Sequence, residues 1–268
     1  MAVNPPVSLQ GPTPKWKLWH TLSLFVILVA IALLCLLLPL DMRLWSWLGS
    51  MILLTAFLAI AGQGVTGDWR GALIDERNKM SLSRLQMALW TLLVLSAILA
   101  AAMLNVRNGQ IDPLAIAIPA GIWILLGISA TSLIGSPLIL SNKKSQEPDP
   151  EEAVRNLDLL KHQNLLQPDA VDHEGKVVVN TSPANARWAN LFTGEEVGNC
   201  TQLDLGKIQL FYFTFILAFV YAVALGTLFL SQAKVINAFP DVNAGVLAIL
   251  GISHAAYLTN KAIPHSQS

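Results

Sequence analysis

Apolar positions in this chain do not alternate with polar ones, and they are not spread as a soluble core would require. They run in blocks, at about 20–40, 44–62, 85–104, 113–134, 208–230 and 241–259. Each is close to the roughly 17–25 residues that cross a bilayer as a helix. Hydrocarbon offers the backbone no hydrogen-bond partners, so each block is expected to be helical. Asp112-Pro113 reads as the cap and first turn of the fourth block, with Gly135 and Pro137 ending it, and Pro240-Asp241 as the start of the sixth. The sixth block is short and carries Asn243, Ser253 and His254, so five spans or a buried half-helix are its competitors. The pattern predicts an all-α integral membrane protein: six transmembrane helices, an internal parallel two-helix duplication and a small cytoplasmic insertion. The expected divisions are a tail at 1–17, a hairpin at 18–62, repeat A at 81–140, a loop at 141–203, repeat B at 204–262 and a tail at 263–268.

Composition agrees. Hydrophobic residues make up 54% of the 268 and charged residues 13%, about half the usual share in a soluble domain, and the mean hydropathy is +0.54. Lys15 and Lys17 precede the first block as in a secretory leader, but the block is too long for one and no small-residue cleavage site follows it, so it reads as a retained helix. Lys+Arg and Asp+Glu balance at 17 each, so nothing in the charge points to nucleic acid. Cys35 and Cys200 fall in an apolar block and a polar loop, which suggests two separate thiols. With the N-terminus inside, 14 cations fall in inner segments and three (Arg43, Arg107 and Lys234) in outer ones, which places both termini in the cytoplasm. Trp16, Trp19, Trp45, Trp47 and Trp69 sit at block ends, where an indole suits the interface.

Two stretches repeat. LSRLQMALWT at 82–91 meets LGKIQLFYFT at 205–214, pairing Gln86 with Gln209, Arg84 with Lys207 and Trp90 with Phe213. AGIWILLGIS at 120–129 meets AGVLAILGIS at 244–253, pairing Gly127 with Gly251 and Ser129 with Ser253. Both copies start on the same side, so a pseudo-two-fold along the membrane normal is expected. Gly127 and Gly251 are candidates for a close helix crossing, with Ser129 and Ser253 bonding across it. Gln86 and Gln209 either fix helix register or form a polar constriction. Arg84 and Lys207, just before them, are in reach of lipid headgroups.

The polar stretch at 141–206 begins SNKKSQEPDPEE, a linker composition, and continues into an amphipathic helix with Val154, Leu157 and Leu160 on one face. GKVVVN suggests a strand, and Ser182-Pro183 to Thr193-Gly194 a second short helix. There Trp188, Leu191 and Phe192 share a face that docks either on the membrane or into a small subdomain. GQGVTG at 62–67 fits a dinucleotide fingerprint but follows a membrane block, so its glycines are expected to end a helix. Asp169, Asp172, His173 and Glu174 have metal-ligand chemistry but read as a solvated turn, and no metal or cofactor is expected. His254 is the one titratable group well inside a block, with Tyr257 and Lys261 on roughly its face. Ala130 stands at its place in repeat A.

ARWANLFTGEEVGNCTQLDLGKIQLFYFTFIL, at 186–217, resembles segments of bacterial multi-pass membrane proteins of unassigned function, and LSRLQMALWT belongs with it. The resemblance implies a bacterial inner membrane and no activity. The expected function is that of a non-enzymatic membrane subunit. Such a subunit would associate with lipid and with further copies or a membrane complex, forming a pore or anchoring a cytoplasmic protein through 141–206. A small secondary transporter with a midplane site near the repeat interface is the alternative.

Overall fold

The computed structural model describes residues 15–164, 166–231 and 234–266; most of the tail expected at 1–17 lies outside them. The chain is mostly helical: α1 (Leu18–Leu37), α2 (Arg43–Thr66), α3 (Leu82–Arg107), α4 (Ala120–Lys144), α5 (Pro150–Gln163), α6 (Leu205–Leu230) and α7 (Ala244–Ala262). One antiparallel hairpin joins β1 (Val171–Glu174) to β2 (Val177–Asn180). Five helices are long and apolar enough to cross a membrane: α1, α2 with the turn before it, α3, α4 and α6. The 19-residue α7 is not among them, its second half carrying Ser253, His254, Thr259, Asn260 and Lys261.

Exposure on this bundle makes sense only with lipid as solvent. α1 leaves Leu22, Phe25, Val26, Val29 and Leu33 uncovered, a patch that would drive aggregation in water. α3 occupies the middle, with 13 buried residues and contacts to α2, α4 and α6. The centre is filled by Trp47, Trp90, Ile122, Leu125, Leu225 and Phe229. Trp47 donates to Ser96 Oγ at 3.0 Å and stacks on Phe229 at 5.3 Å.

Two ends differ from the sequence expectation. α4 starts at Ala120 rather than near Pro113, because the segment before it pairs with the segment before α7. Ala117 N donates to Asn237 O at 2.7 Å and Phe239 N to Ala117 O at 3.0 Å. Fully buried Asn105 holds the same place, accepting from Ile236 N at 2.9 Å and donating to its carbonyl at 2.9 Å. α4 then runs through Pro137, which lies inside the helix, as far as Lys144. α7 begins after Asn243, whose side chain caps it, rather than at Pro240-Asp241.

α4 and α7 lie alongside one another. Facing positions run from Gly121 against Leu247, through Ser132 against His254 and Gly135 against Leu258, to Ser136 against Lys261. α3 and α6 start alike: Ser81 accepts from Arg84 N, and Asp204 accepts from Lys207 N. Each start follows a short loop closed by an antiparallel bridge, Ile74 to Met80 in one and Thr193 to Leu203 in the other. A single-turn 3-10 helix precedes each loop, at Gly71–Leu73 and Trp188–Leu191.

The insertion between α4 and α6 contains α5, the hairpin and two 3-10 turns. Asp149 caps α5 through Glu151 and Glu152 N–H groups. Its inner face is Ala153, Asn156, Leu157 and Leu160, against Ala170, Val178, Val197 and Cys200. Val154, expected on that face, points outward, because Ala153 takes the inward position. Leu191 and Phe192 pack on Leu210, Phe211 and Tyr257, while Trp188 stays 46% exposed beside Trp69, ring to ring at 6.5 Å.

Candidate functional site

The insertion meets the helix ends through buried charge. The first part of this charge cluster is the loop before α3. Asp75 Oδ1 accepts from Arg77 N at 3.0 Å and Lys79 N at 3.3 Å, turning the chain so that Asn78 sits at φ +56°. Asn tolerates that left-handed conformation better than most residues. The turn aims Arg77 back at Asp75 Oδ2, at 2.6 Å, and leaves its Nη2 3.3 Å from Glu195.

Glu195 is the hub. Besides Arg77, its oxygens lie 3.0 Å from Lys207 Nζ and 2.6 Å from Lys261 Nζ. Lys207 also donates to Thr193 O at 2.7 Å, and Lys261 to Ser136 Oγ. Its neighbour Glu196 takes Lys143 Nζ at 2.5 Å on one oxygen and His265 N at 3.1 Å on the other. Lys143 bonds Ile263 O at 2.7 Å, and Gly198 N bonds Ser266 Oγ at 3.0 Å. The stretch after α7 is therefore built into the insertion rather than hanging free as a tail. Lys207, expected to reach headgroups, is 2% exposed and spent on Glu195.

Electrostatics explain the arrangement. Burial works against the Glu195 carboxylate, but Arg77, Lys207 and Lys261 outweigh it and hold the group well below the ordinary carboxylate range. The cluster has three carboxylates (Asp75, Glu195 and Glu196) against four paired cations (Arg77, Lys143, Lys207 and Lys261). Lys79 adds a fifth positive group, and burial, with Arg77 and Lys207 nearby, pushes its ammonium down to about 7. A network this dry fixes geometry more than it adds stability, since desolvation offsets most of the attraction. It ties the insertion to the loop before α3 and to the ends of α4, α6 and α7.

A second polar region lies between α4 and α7. Ser132 Oγ and His254 Nδ1 are 2.5 Å apart, while His254 Nε2, Ser129 Oγ and Ser253 Oγ are buried with no partner among the described residues. Tyr257 and Lys261 are buried below them.

The residues paired by the sequence repeat fare differently. Gln86 is fully buried and donates to Thr214 Oγ1 at 2.5 Å across α3 and α6, whereas Gln209 is exposed. Gly127 sets no close crossing within the chain: a Cβ there would meet nothing within 4 Å, and one at Gly251 would only graze Ile128 at 3.9 Å. The close approach is at Gly62 instead, where a Cβ would lie 2.8 Å from Ala72 N. That glycine of the GQGVTG stretch seats the turn before α3, and Gly67 ends α2 at φ +79°. Around the acidic turn, Glu174 pairs with Lys144 at 2.6 Å and His173 Nδ1 lies 2.8 Å from Gly175 O. Among the described residues no three His, Cys, Asp or Glu side chains gather as a metal site.

Arg77, Lys143, Glu195 and Glu196 were not among the candidate residues read from sequence. Their signal was faint: Lys207 and Lys261, cations at the ends of apolar helices, need acids, and Glu195-Glu196 is the acidic pair just before α6.

These features define a multi-pass helical membrane protein with a polar insertion clamped to one end of its bundle. Comparison with models of protein families, with curated proteins and with solved structures finds no match.

Proposed function

We propose that this chain is a non-catalytic subunit of a bacterial inner-membrane assembly, holding a cytoplasmic partner through its insertion. The observation carrying this reading is the pairing of a filled bundle with a clamped insertion. Bulky side chains occupy the bundle centre, which argues against a pore within one chain. The buried cluster around Glu195 and Glu196 gives the insertion a fixed orientation, as an anchor requires. Exposed Val154 and Leu159 on α5 are the surface offered to the partner.

In this reading α7 crosses the membrane beside α4 as a sixth span, and the insertion and both termini are cytoplasmic. The internal duplication is part of the proposal. Matching caps at Ser81 and Asp204, bridged loops before them, and α4 and α7 lying in repeat register support it.

The test is a Val154→Asp, Leu159→Asp variant of the full chain, purified in mild detergent after in-cell crosslinking. It is expected to keep wild-type thermal stability and lose a soluble partner that wild type retains. Ohmic conductance of the purified wild-type protein in a planar bilayer would instead favour an oligomeric pore.

One observation favours a second reading. The Ser132–His254 pair, flanked by unpartnered Ser129 and Ser253, has the character of a small-solute or proton site at depth. Solute uptake that saturates, and that His254→Ala abolishes without loss of folded protein, would put the transporter ahead of the anchor.

A further inference from the structure

The loops before α3 and before α6 each present an acidic pair, Asp75-Glu76 and Glu195-Glu196, above a basic residue in the next helix, Arg84 or Lys207. Around Glu195 and Glu196, Lys143, Lys207 and Lys261 close the space, and the cavity left beside Leu140 and His265 is only about 10 Å³. Around Glu76 and Arg84 the space stays open. A cleft of about 460 Å³ lies between α2, the start of α3 and the end of α4. Glu76 and Arg84 line it, and neither makes an ion pair among the described residues. Ser83 also lines it; its residue is 1% exposed and its hydroxyl has no partner among the described residues.

The cleft is graded along α3. Charged and hydroxyl groups stand at its first turn, and Met87, Ala88, Leu92 and Leu133 follow toward the bundle middle, with the Thr91 hydroxyl among them. From Arg84 to Leu92 is about 12 Å at 1.5 Å per residue. Toward α6, between α2, α3 and α6, runs an apolar groove of about 490 Å³ that shares Leu58, Ala72, Ala88 and Leu92 with the cleft.

We infer that this cleft and groove bind one amino-phospholipid. Its phosphate lies on Arg84 and the Ser83 hydroxyl, its primary ammonium on Glu76, and its two acyl chains run one in the cleft and one in the groove. Charge decides the headgroup. Asp75 also lines the cleft but is neutralised by Arg77, so the remaining pair, Arg84 and Glu76, sums to zero, which matches a zwitterion, and its acidic half repels an anionic lipid. A phosphodiester on arginine gains charge-assisted hydrogen bonds, and the unpartnered Ser83 hydroxyl gains the acceptor it lacks.

The test is native mass spectrometry of the full chain released from mild detergent, with phosphatidylethanolamine, phosphatidylglycerol or inorganic phosphate added. Wild type is expected to keep one phosphatidylethanolamine at collision energies that strip phosphatidylglycerol. Arg84→Gln and Ala88→Phe should each lower that occupancy about tenfold, and Glu76→Gln should abolish the preference for phosphatidylethanolamine. Glu76 is exposed, so its variant carries the test even where Arg84→Gln does not fold. Occupancy unchanged in both Arg84→Gln and Ala88→Phe would overturn the site. Phosphatidylglycerol held as firmly as phosphatidylethanolamine by wild type, or displacement of lipid by millimolar phosphate, would overturn the assigned ligand.

Discussion

Before α3 the chain offers Asp75 and Glu76; before α6 it offers Glu195 and Glu196. The two loops follow the same plan, a 3-10 turn, an antiparallel bridge and a side-chain cap at the helix start. In the second, three lysines and Arg77 converge on the acids and the insertion is locked. In the first, Arg77 answers Asp75 and Glu76 is left facing a cleft. The difference arises in the neighbouring helix. At the position where α7 brings Lys261 to the second loop, the repeat alignment gives α4 Pro137. Losing or gaining one long cation turns the same frame into either a clamp or an opening.

The sharpest way to break this comparison is to remove the acid at the hub. Glu195→Ala leaves Arg77, Lys207 and Lys261 buried without their shared carboxylate, and a broken buried pair costs about 3–5 kcal/mol. Thermal unfolding in detergent should show that loss, whereas exposed Glu76→Ala should stay within about 0.5 kcal/mol. Equal effects would mean that the two loops are not used differently.

Next comes the seat of the first loop. Gly62→Ala puts a methyl 2.8 Å from the Ala72 backbone, and overpacking of this kind costs about 1–3 kcal/mol. Gly127→Ala, with open space around it, should be neutral in the same assay.

Acidity tests the same pair of loops from both sides. Lys79 titrates near 7 in the fold, against about 10.4 when unfolded. Between those values the unfolded chain binds the extra proton, so stability should rise with pH, by at most about 1.4 kcal/mol per unit. Lys79→Met should flatten that slope. Glu195 acts oppositely: its carboxylate is held below the ordinary value, so its contribution is present above that value and lost as pH falls below it. Glu195→Gln should remove the acid-side loss in the same unfolding series.

The smallest expected effect is one turn into the helices. Gln86→Leu deletes the bond to Thr214, a type of intramembrane contact worth about 0.6 kcal/mol. Gln209→Leu, at an exposed site, should change nothing measurable.

Five of the six apolar blocks emerge as helices apolar enough to cross a membrane because their signal is local: a run of side chains and the solvent it demands. The block ends moved because the residues at 113–119 answer to a distant partner, the strand-like pairing of Ala117 with Asn237 and Phe239. The GQGVTG glycines are placed at a helix end as expected, yet the contact that Gly62 makes with Ala72 depends on a chain reversal that no spacing announces. The charge cluster was least legible. Three of its ion pairs, Lys143–Glu196, Lys261–Glu195 and Arg77–Glu195, join residues more than 50 positions apart, and no local pattern announces such pairs before the helix ends are brought together. The repeat in the sequence aligned Gln86 with Gln209, but packing buried one and left the other out, because Gln86 faces Thr214 of α6 while the Gln209 side of α6 is left uncovered.

The way Glu195 and Glu196 draw some of their partners from Lys207, Lys261 and the His265 backbone has a bearing on how the chain is made. Synthesis delivers Arg77 and Lys143 before the two acids but Lys207 and Lys261 after them, so the emerging insertion waits with its cluster half-paired until α6 and α7 have been made. Maturation is then ordered from membrane to water: the last helix to be placed is the one that closes the latch, and a nascent chain arrested before Lys261 should expose an insertion that proteases can still cut.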